Sequence, residues 1–497
     1  MNRKTTKLTS LLLAMLMLAT ACGGGETPSA EADNSGTTTP SAEAEIPAEE
    51  TVPEETEPEY EPLPAKDMAG FDMRFYNYDD SWLSWVINIL DTEETTGDVL
   101  NDAVWDRNNR MEETYNCKIS QILDRNPADQ LAALVQSGDT GAEVVMMYDE
   151  TIVNHYTAGR LLTWEVLPHV NFEHPWWSWN ATQTFNAAGK VYAATGDFSL
   201  AQSTRSFILM FNKDMYADLS LQDDLYQLVL DGKWTMDKLV TLAETAVLDL
   251  NGDGVMNAAD DRFGTAGAIK LWFGSLVTGA GIKYVDLDEE GNAIFAIPGS
   301  EYAATVMSDI LAKHNGNYVF VQVADGVHNG SNESQVMFKN NQTLFHGSSM
   351  KAISNYRDMD SDIGILPFPK YSEDQDAYYA LTSGGTMATI PTTLSPDSFD
   401  NVGLILEAMS RDSRENVIPV YKETLLKSRY ARDEGSAAML DIIFASAMYD
   451  IGLSTIPSET YYKYMEVFMN GTDTFASLTK SITKIVSKKL ESLTKQG

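Results

Sequence analysis

The stretch from Phe71 to Asp149 switches between a two-residue and a 3.6-residue apolar period, and this alternation limits the fold more than any other feature. FDMRFYNYDD reads as a strand ending in an acidic loop. DVLNDAVWDRNNRMEETYN then places Leu100, Val104, Met111 and Tyr115 on one helical face. CKISQIL is a second strand, ADQLAALVQSG a helix closed by Gly138, and EVVMMYD a buried strand that opens into Tyr148 and Asp149. Strands separated by helices at this spacing are joined by crossovers. The expected fold is therefore α/β, with a mainly parallel sheet and helices on both faces.

The segments before Phe71 are of another kind. MNRKTTKLTSLLLAMLMLATACGGG has a basic start, an apolar run from Leu8 to Ala19 that is too short to span a bilayer, and small residues before Cys22. Leu18, Ala19, Thr20 and Ala21 resemble the lipobox of bacterial lipoprotein signals, with Ala19 where that family usually has Leu. The resemblance implies removal of residues 1–21 and a lipid on Cys22, hence a membrane anchor on the extracytoplasmic face. An ordinary secreted chain cleaved after Ala21 is the alternative. Residues 22–65 carry about a dozen acids, no base and almost nothing apolar, so they cannot offset their ordering entropy and are expected to form a disordered acidic tether. With Cys22 taken by lipid, only Cys117 remains, which excludes an intramolecular disulfide.

With 72 acids against 35 bases, the formal charge of −37 argues against a nucleic-acid partner, since no basic stripe offsets it. The 43% of hydrophobic residues, in contrast, leaves ample material for one large two-lobed unit or for two to three ordinary domains.

Several later segments, taken in order, resemble one family. GKVYAATGD, FILMFNKDMY, GKWTMDKL, NQTLFHGSSMKAIS, SDIGILPFPKY, GGTMATIPTT and YARDEGSAAMLDIIFASAMYDIG are similar to stretches of the extracellular solute-binding proteins of ABC importers, in the maltodextrin-binding-like branch. The resemblance implies a type II periplasmic-binding-protein-like fold: two α/β lobes exchange the chain at a hinge and hold solute between them. Lobe 1 is expected over 66–195 plus 346–411 and lobe 2 over 200–340 plus 418–497. The implied partners are a carbohydrate and the permease subunits of the importer, with the binding protein a monomer.

Candidate solute contacts follow from the carboxyl ends of expected strands, where ligands of open α/β sheets collect. Asp79, Asp80 and Trp82 follow the first strand, Tyr148 and Asp149 the third, Asp197 lies at the first crossing and Ser348 at a later one. Carboxylates accept vicinal hydroxyls, and aromatic rings stack on the CH faces of sugars. Helix caps and solvated turns are the plainer reading of each aspartate. Trp272 is expected to offer an aromatic platform, because LWFGSLVTGAG resembles the second-lobe segment that does so. Trp176 and Trp177 are expected to be packing.

DLNGDGVMNAAD matches a calcium loop: oxygens from Asp249, Asn251, Asp253, Val255, Asn257 and Asp260 with Gly254 at the sharp turn. It looks like a dockerin loop, but the nearest second copy, RDMDSDIG, has Ile363 where Gly is required, which disfavours cohesin docking. A structural Ca2+ is the expected cofactor, and a metal-free turn the alternative. No HExxH, GxSxG, P-loop or paired CxxC occurs, so no catalytic residue is expected. Two distant carboxylates could still meet in a fold, which keeps a secreted carbohydrate-active enzyme, or a surface glycan-binding lipoprotein with no importer, as the competing reading.

Overall fold

The computed structural model describes residues 60–494 except 80–85, 88, 140, 188–189, 322–330 and 428–433. The signal, Cys22 and nearly all of the tether, along with Asp80, Trp82 and Trp85, lie outside the described residues. Pro62–Gly497 is one compact unit. Its main strands are β1 (Phe71–Tyr78), β2 (Cys117–Asp124), β3 (Val144–Tyr148), β4 (Leu161–Leu162), β5 (Phe207–Asn212), β6 (Phe263–Gly267), β7 (Thr343–Ser349), β8 (Ile363–Leu366), β9 (Ala380–Leu381), β10 (Thr386–Pro391) and β11 (Ala447–Met448).

The alternating first segment folds as its periods dictate. Asp98 caps the helix Val99–Tyr115 by accepting from the N–H of Leu100 and Asn101, and Asn116 closes it in the left-handed region at φ 49°. Asn126 and Gly138, the latter at φ 70°, bound Pro127–Ser137 in the same way. β3 follows with its first four residues, Val144 to Met147, buried. The first sheet runs β2-β1-β3-β10-β4, with β1 parallel to β2 and β3 and β10 antiparallel to β3. The second runs β8-β5-β7-β6, with β7 antiparallel to β5 and parallel to β6. No helix among the described residues is long and apolar enough to cross a membrane.

The expected border at residue 346 is displaced. His346, Gly347 and Ser348 sit in mid-ladder opposite Met210, Leu209 and Ile208, and β8 pairs with the other side of β5. A strand cannot change sheets inside a continuous ladder, so residues 346–366 belong to the second sheet. The chain returns to the first sheet between β9 and β10. Ser206 bridges Thr382, and β9 runs parallel to β11, so three separate passages of the chain lie side by side at the hinge. Val417, buried between the helices Phe399–Asn416 and Ile418–Lys427, marks a further passage.

Candidate functional site

β1 and β3 are parallel neighbours, so their last residues emerge at the same edge of the sheet. There the N–H of Tyr148 donates to the Tyr78 hydroxyl at 3.2 Å. Asp149 begins the helix Asp149–Thr157 and is 1% exposed. Its Oδ2 accepts the Gly384 N–H at 2.9 Å, while Oδ1 is buried without a hydrogen-bond partner. Gly384 has φ 71°, and a Cβ there would stand 3.0 Å from Arg205 Nη2 and 3.1 Å from Tyr148 Oη. A side chain would therefore fill the point on which those two polar atoms converge.

Arg205 ends the short helix Ala201–Arg205 at the first hinge passage. Its Nε donates to Ser383 O at 2.7 Å, and its Cζ lies 5.2 Å from the centroid of the Phe207 ring. The second lobe contributes Tyr449, just after β11, and Tyr462 from the helix Tyr461–Asn470. Lys270 Nζ sits 5.0 Å from the Tyr462 ring centroid, and Tyr461 Oη fixes the same stretch by donating to Lys270 O at 2.6 Å.

The electrostatics confirm that these groups share one environment. Burial pushes the Asp149 carboxyl up to about 7, against the Gly384 N–H and the Arg205 charge, and Glu150 adds to the rise. Burial lowers the Arg205 guanidinium, opposed by Tyr148, Asp149 and Tyr449. The Tyr449 phenol is held well above its usual value, first by burial and then by Asp149. Tyr462 is raised by burial, then by Glu150 and Asp149. A carboxylate with one unpartnered oxygen, a guanidinium and three phenols thus meet where the two sheets exchange the chain.

Two cavities adjoin the hinge strands. One, of about 350 Å³, is lined by Asn180, Lys283, Tyr302, Tyr379 and Tyr449. The other, of about 500 Å³, is lined by Trp177, Asp197, Arg414, Lys422 and Phe444. Asn180 borders both, and its Nδ2 donates to Ala447 O on β11 at 2.9 Å.

The residues expected from sequence are not all gathered. Tyr148 and Asp149 form the cluster. Asp79 is half-buried past the end of β1, its N–H donating to Asp124 O at 2.9 Å. Asp197 lines the larger cavity and pairs with Arg414 at 3.2 Å; burial pushes its carboxyl up to about 6, opposed by Arg414 and Lys422. Ser348 is half-buried opposite Ile208 near the end of β7. Trp272 requires correction. It is 1% exposed, stacked on Phe320 at 5.3 Å and edge-on to Phe368 at 5.6 Å, in the core of the second lobe. Gly267 and Gly347 make the room: a Cβ on either would stand 3.1 or 2.9 Å from the indole Cε3. Arg205, Gly384, Tyr449, Tyr462 and Lys270 went unnoticed in the sequence. The glycine pair in TSGGT and the arginine between a short polar helix and an apolar strand were the available signals.

In the Asp249–Asp260 loop the side chains serve the loop's own backbone. Asp249 accepts the N–H of Gly252 and Gly254 at 2.7 and 2.8 Å, and Asp253 that of Val255 at 2.7 Å. Asn257 Oδ1 accepts from Ala259 and Asp260, while buried Asp261, outside the expected ligand set, ties Leu250 N to Asn257 N. Among the described residues no group of three or more His, Cys, Asp or Glu is placed to hold a metal ion.

No protein-family model matches the sequence, and no curated protein does. Solved structures do match. The maltodextrin-binding domain MalE of Bdellovibrio bacteriovorus, bound to maltotriose, is similar at TM-score 0.50 and 13% identity over 84% of this chain and 99% of that one. A cyclo/maltodextrin-binding protein complexed with maltotetraose reaches TM-score 0.57 at 13% identity, over 84% and 97%. The ABC substrate-binding protein Lmo0181 of Listeria monocytogenes, in complex with cycloalternan, reaches 0.52 at 12% identity, over 85% and 99%. The fold is that of a two-lobed, type II periplasmic binding protein. At these identities the likeness concerns the fold, and the function has to be argued from the site.

Proposed function

We propose that this chain is the solute-binding component of an ABC importer and that it holds a carbohydrate at the hinge between its lobes. The observation that carries the reading is the Asp149 cluster. One buried carboxylate oxygen has no partner, and guanidinium and phenol groups surround it, drawn from the first sheet, the hinge and the second lobe. Sugar hydroxyls donate and accept at once, so they suit such a mixed set, and the tyrosine rings suit the CH faces of a pyranose. The structures of similar fold, solved with maltotriose, maltotetraose and cycloalternan, support the same class.

Binding rather than turnover is the proposed mechanism. A solute that touches Asp149 from one lobe and Tyr449 and Tyr462 from the other gains most when both lobes are against it. Its differential affinity then favours the closed arrangement, which the permease would read. The order of residues from Leu18 to Cys22, followed by an acidic tether, supports a lipid anchor on the extracytoplasmic face of the membrane. Calcium in the Asp249–Asp260 loop is a separate proposal that rests on residue order alone.

A calorimetric panel of oligosaccharides tests the reading, with the ligand recovered after long incubation. A carbohydrate that binds and is returned intact supports it. Release of reducing ends points to the enzyme, and binding of peptides or amino acids with no carbohydrate bound removes the substrate class.

A further inference from the structure

Arg205 differs from several other arginines of the chain, although Arg262 likewise uses only its Nε, on Ala246 O at 2.8 Å. Arg74, Arg110 and Arg414 are each paired to a carboxylate, Glu143, Asp412 and Asp197 respectively, at 2.7, 2.6 and 3.2 Å. Arg107, 1% exposed, has its guanidinium satisfied by Leu90 O, Phe198 O, Asn108 Oδ1 and Ser413 Oγ. Arg205, half-buried, uses only its Nε, on Ser383 O. Among the described residues it forms no ion pair. Four of its five N–H donors are left over, in a planar fork suited to a second planar group. Its Nη2 and the Tyr148 hydroxyl lie 3.0 and 3.1 Å from where a Cβ on Gly384 would stand, so both polar atoms are aimed at the same point.

We propose that the carbohydrate of this site is an acidic one, a uronic acid residue whose carboxylate docks on the Arg205 guanidinium beside the Tyr148 hydroxyl. The inference rests on the carbohydrate reading above and sharpens it.

The charges facing the spot agree. From the first lobe come Asp149 and Glu150, from the hinge Arg205, and from the second lobe Lys270 behind the Tyr462 ring; Tyr148, Tyr449 and Tyr462 are neutral phenols. Burial raises both carboxyls, Asp149 to about 7, so near neutral pH Asp149 offsets only part of the arginine's charge. Its Oδ2 is directed at Gly384 N and not at Arg205. In a chain of net charge −37, a half-buried cation without a paired carboxylate is a place for an anion brought from outside.

The test uses the whole protein and trisaccharides of galacturonic, glucuronic and mannuronic acid, each beside its carboxyl-reduced neutral counterpart, titrated calorimetrically at pH 6 and 8. The expected result is one acidic trisaccharide bound about 10- to 100-fold more tightly than its neutral twin. Arg205→Gln should weaken the acidic trisaccharide far more than its neutral twin and so erase the preference, and Arg205→Lys should restore part of it. The wild-type comparison stands even if a variant fails to fold. Equal or tighter binding of neutral sugars, by this set or by the wider oligosaccharide panel, overturns the acidic assignment and leaves the carbohydrate reading intact. No carbohydrate bound at all overturns both.

Discussion

Two buried acids, both in the first lobe, show how the molecule separates packing from function. Glu407, in the helix Phe399–Asn416, has a side chain 0% exposed and accepts from the indole N–H of Trp176 at 2.9 Å and of Trp177 at 2.7 Å; it also bonds His174 and accepts from Asn171 N. Asp149 is as deeply buried but has one oxygen partnered and one not. A buried polar group left unpaired costs about 1–3 kcal/mol. Glu407 is satisfied from within, joining the tryptophans to the helix. On the proposed reading, a solute completes Asp149.

Removing each acid should give opposite results. Glu407→Ala orphans two buried indoles and should lower stability by about 3–5 kcal/mol, read by urea unfolding, while solute affinity of the folded fraction stays within about threefold of wild type. Trp272→Ala, which empties a core site rather than a platform, should cost a similar 3–5 kcal/mol and likewise spare affinity. If it abolished binding without loss of stability, the correction made above would be wrong.

Asp149→Asn should move the other way. The folded carboxyl is raised to about 7, so between about pH 4 and 7 the folded protein keeps a proton that the unfolded chain releases. That contribution is fully present below the unfolded value and lost as pH rises through 7. The variant should be more stable than wild type by about 1–3 kcal/mol at pH 8, with a flatter dependence of Tm on pH, and should lose at least about tenfold in solute affinity. A variant that is less stable at pH 8 would place Asp149 beside Glu407 as a structural acid.

Sequence reading reached the α/β class because period and caps are local properties, and the two lobes through the family resemblance. Asp98, Asn126 and Gly138 act on their own helices, and the apolar run of β3 records its burial. It named Tyr148 and Asp149 as candidates because the carboxyl end of a buried parallel strand is an expected place. The other half of the site is not local. Arg205, Gly384, Tyr449 and Tyr462 lie in separate stretches of the sequence and come near one another only because three passages of the chain pair at the hinge. Trp272 misled for the complementary reason: the two glycines that bury its ring sit on β6 and β7, and nothing near the tryptophan announces them.

Smaller effects sharpen the contrast further. Tyr462→Ala, at a ring 36% exposed, should weaken binding by about tenfold and change stability by less than about 1 kcal/mol. At the Asp249–Asp260 loop, a bound calcium ion would make Tm fall by a few degrees in chelator and recover on adding calcium. A Tm indifferent to both leaves the loop to its own hydrogen bonds.

The most direct measurement is calorimetric titration of the oligosaccharide panel into wild-type protein, Asp149→Asn and Glu407→Gln. The account predicts a carbohydrate that binds wild type, binds Asp149→Asn at least about tenfold more weakly, binds folded Glu407→Gln as wild type does, and is recovered uncleaved. A carbohydrate bound equally by wild type and Asp149→Asn, or none bound at all, would contradict it.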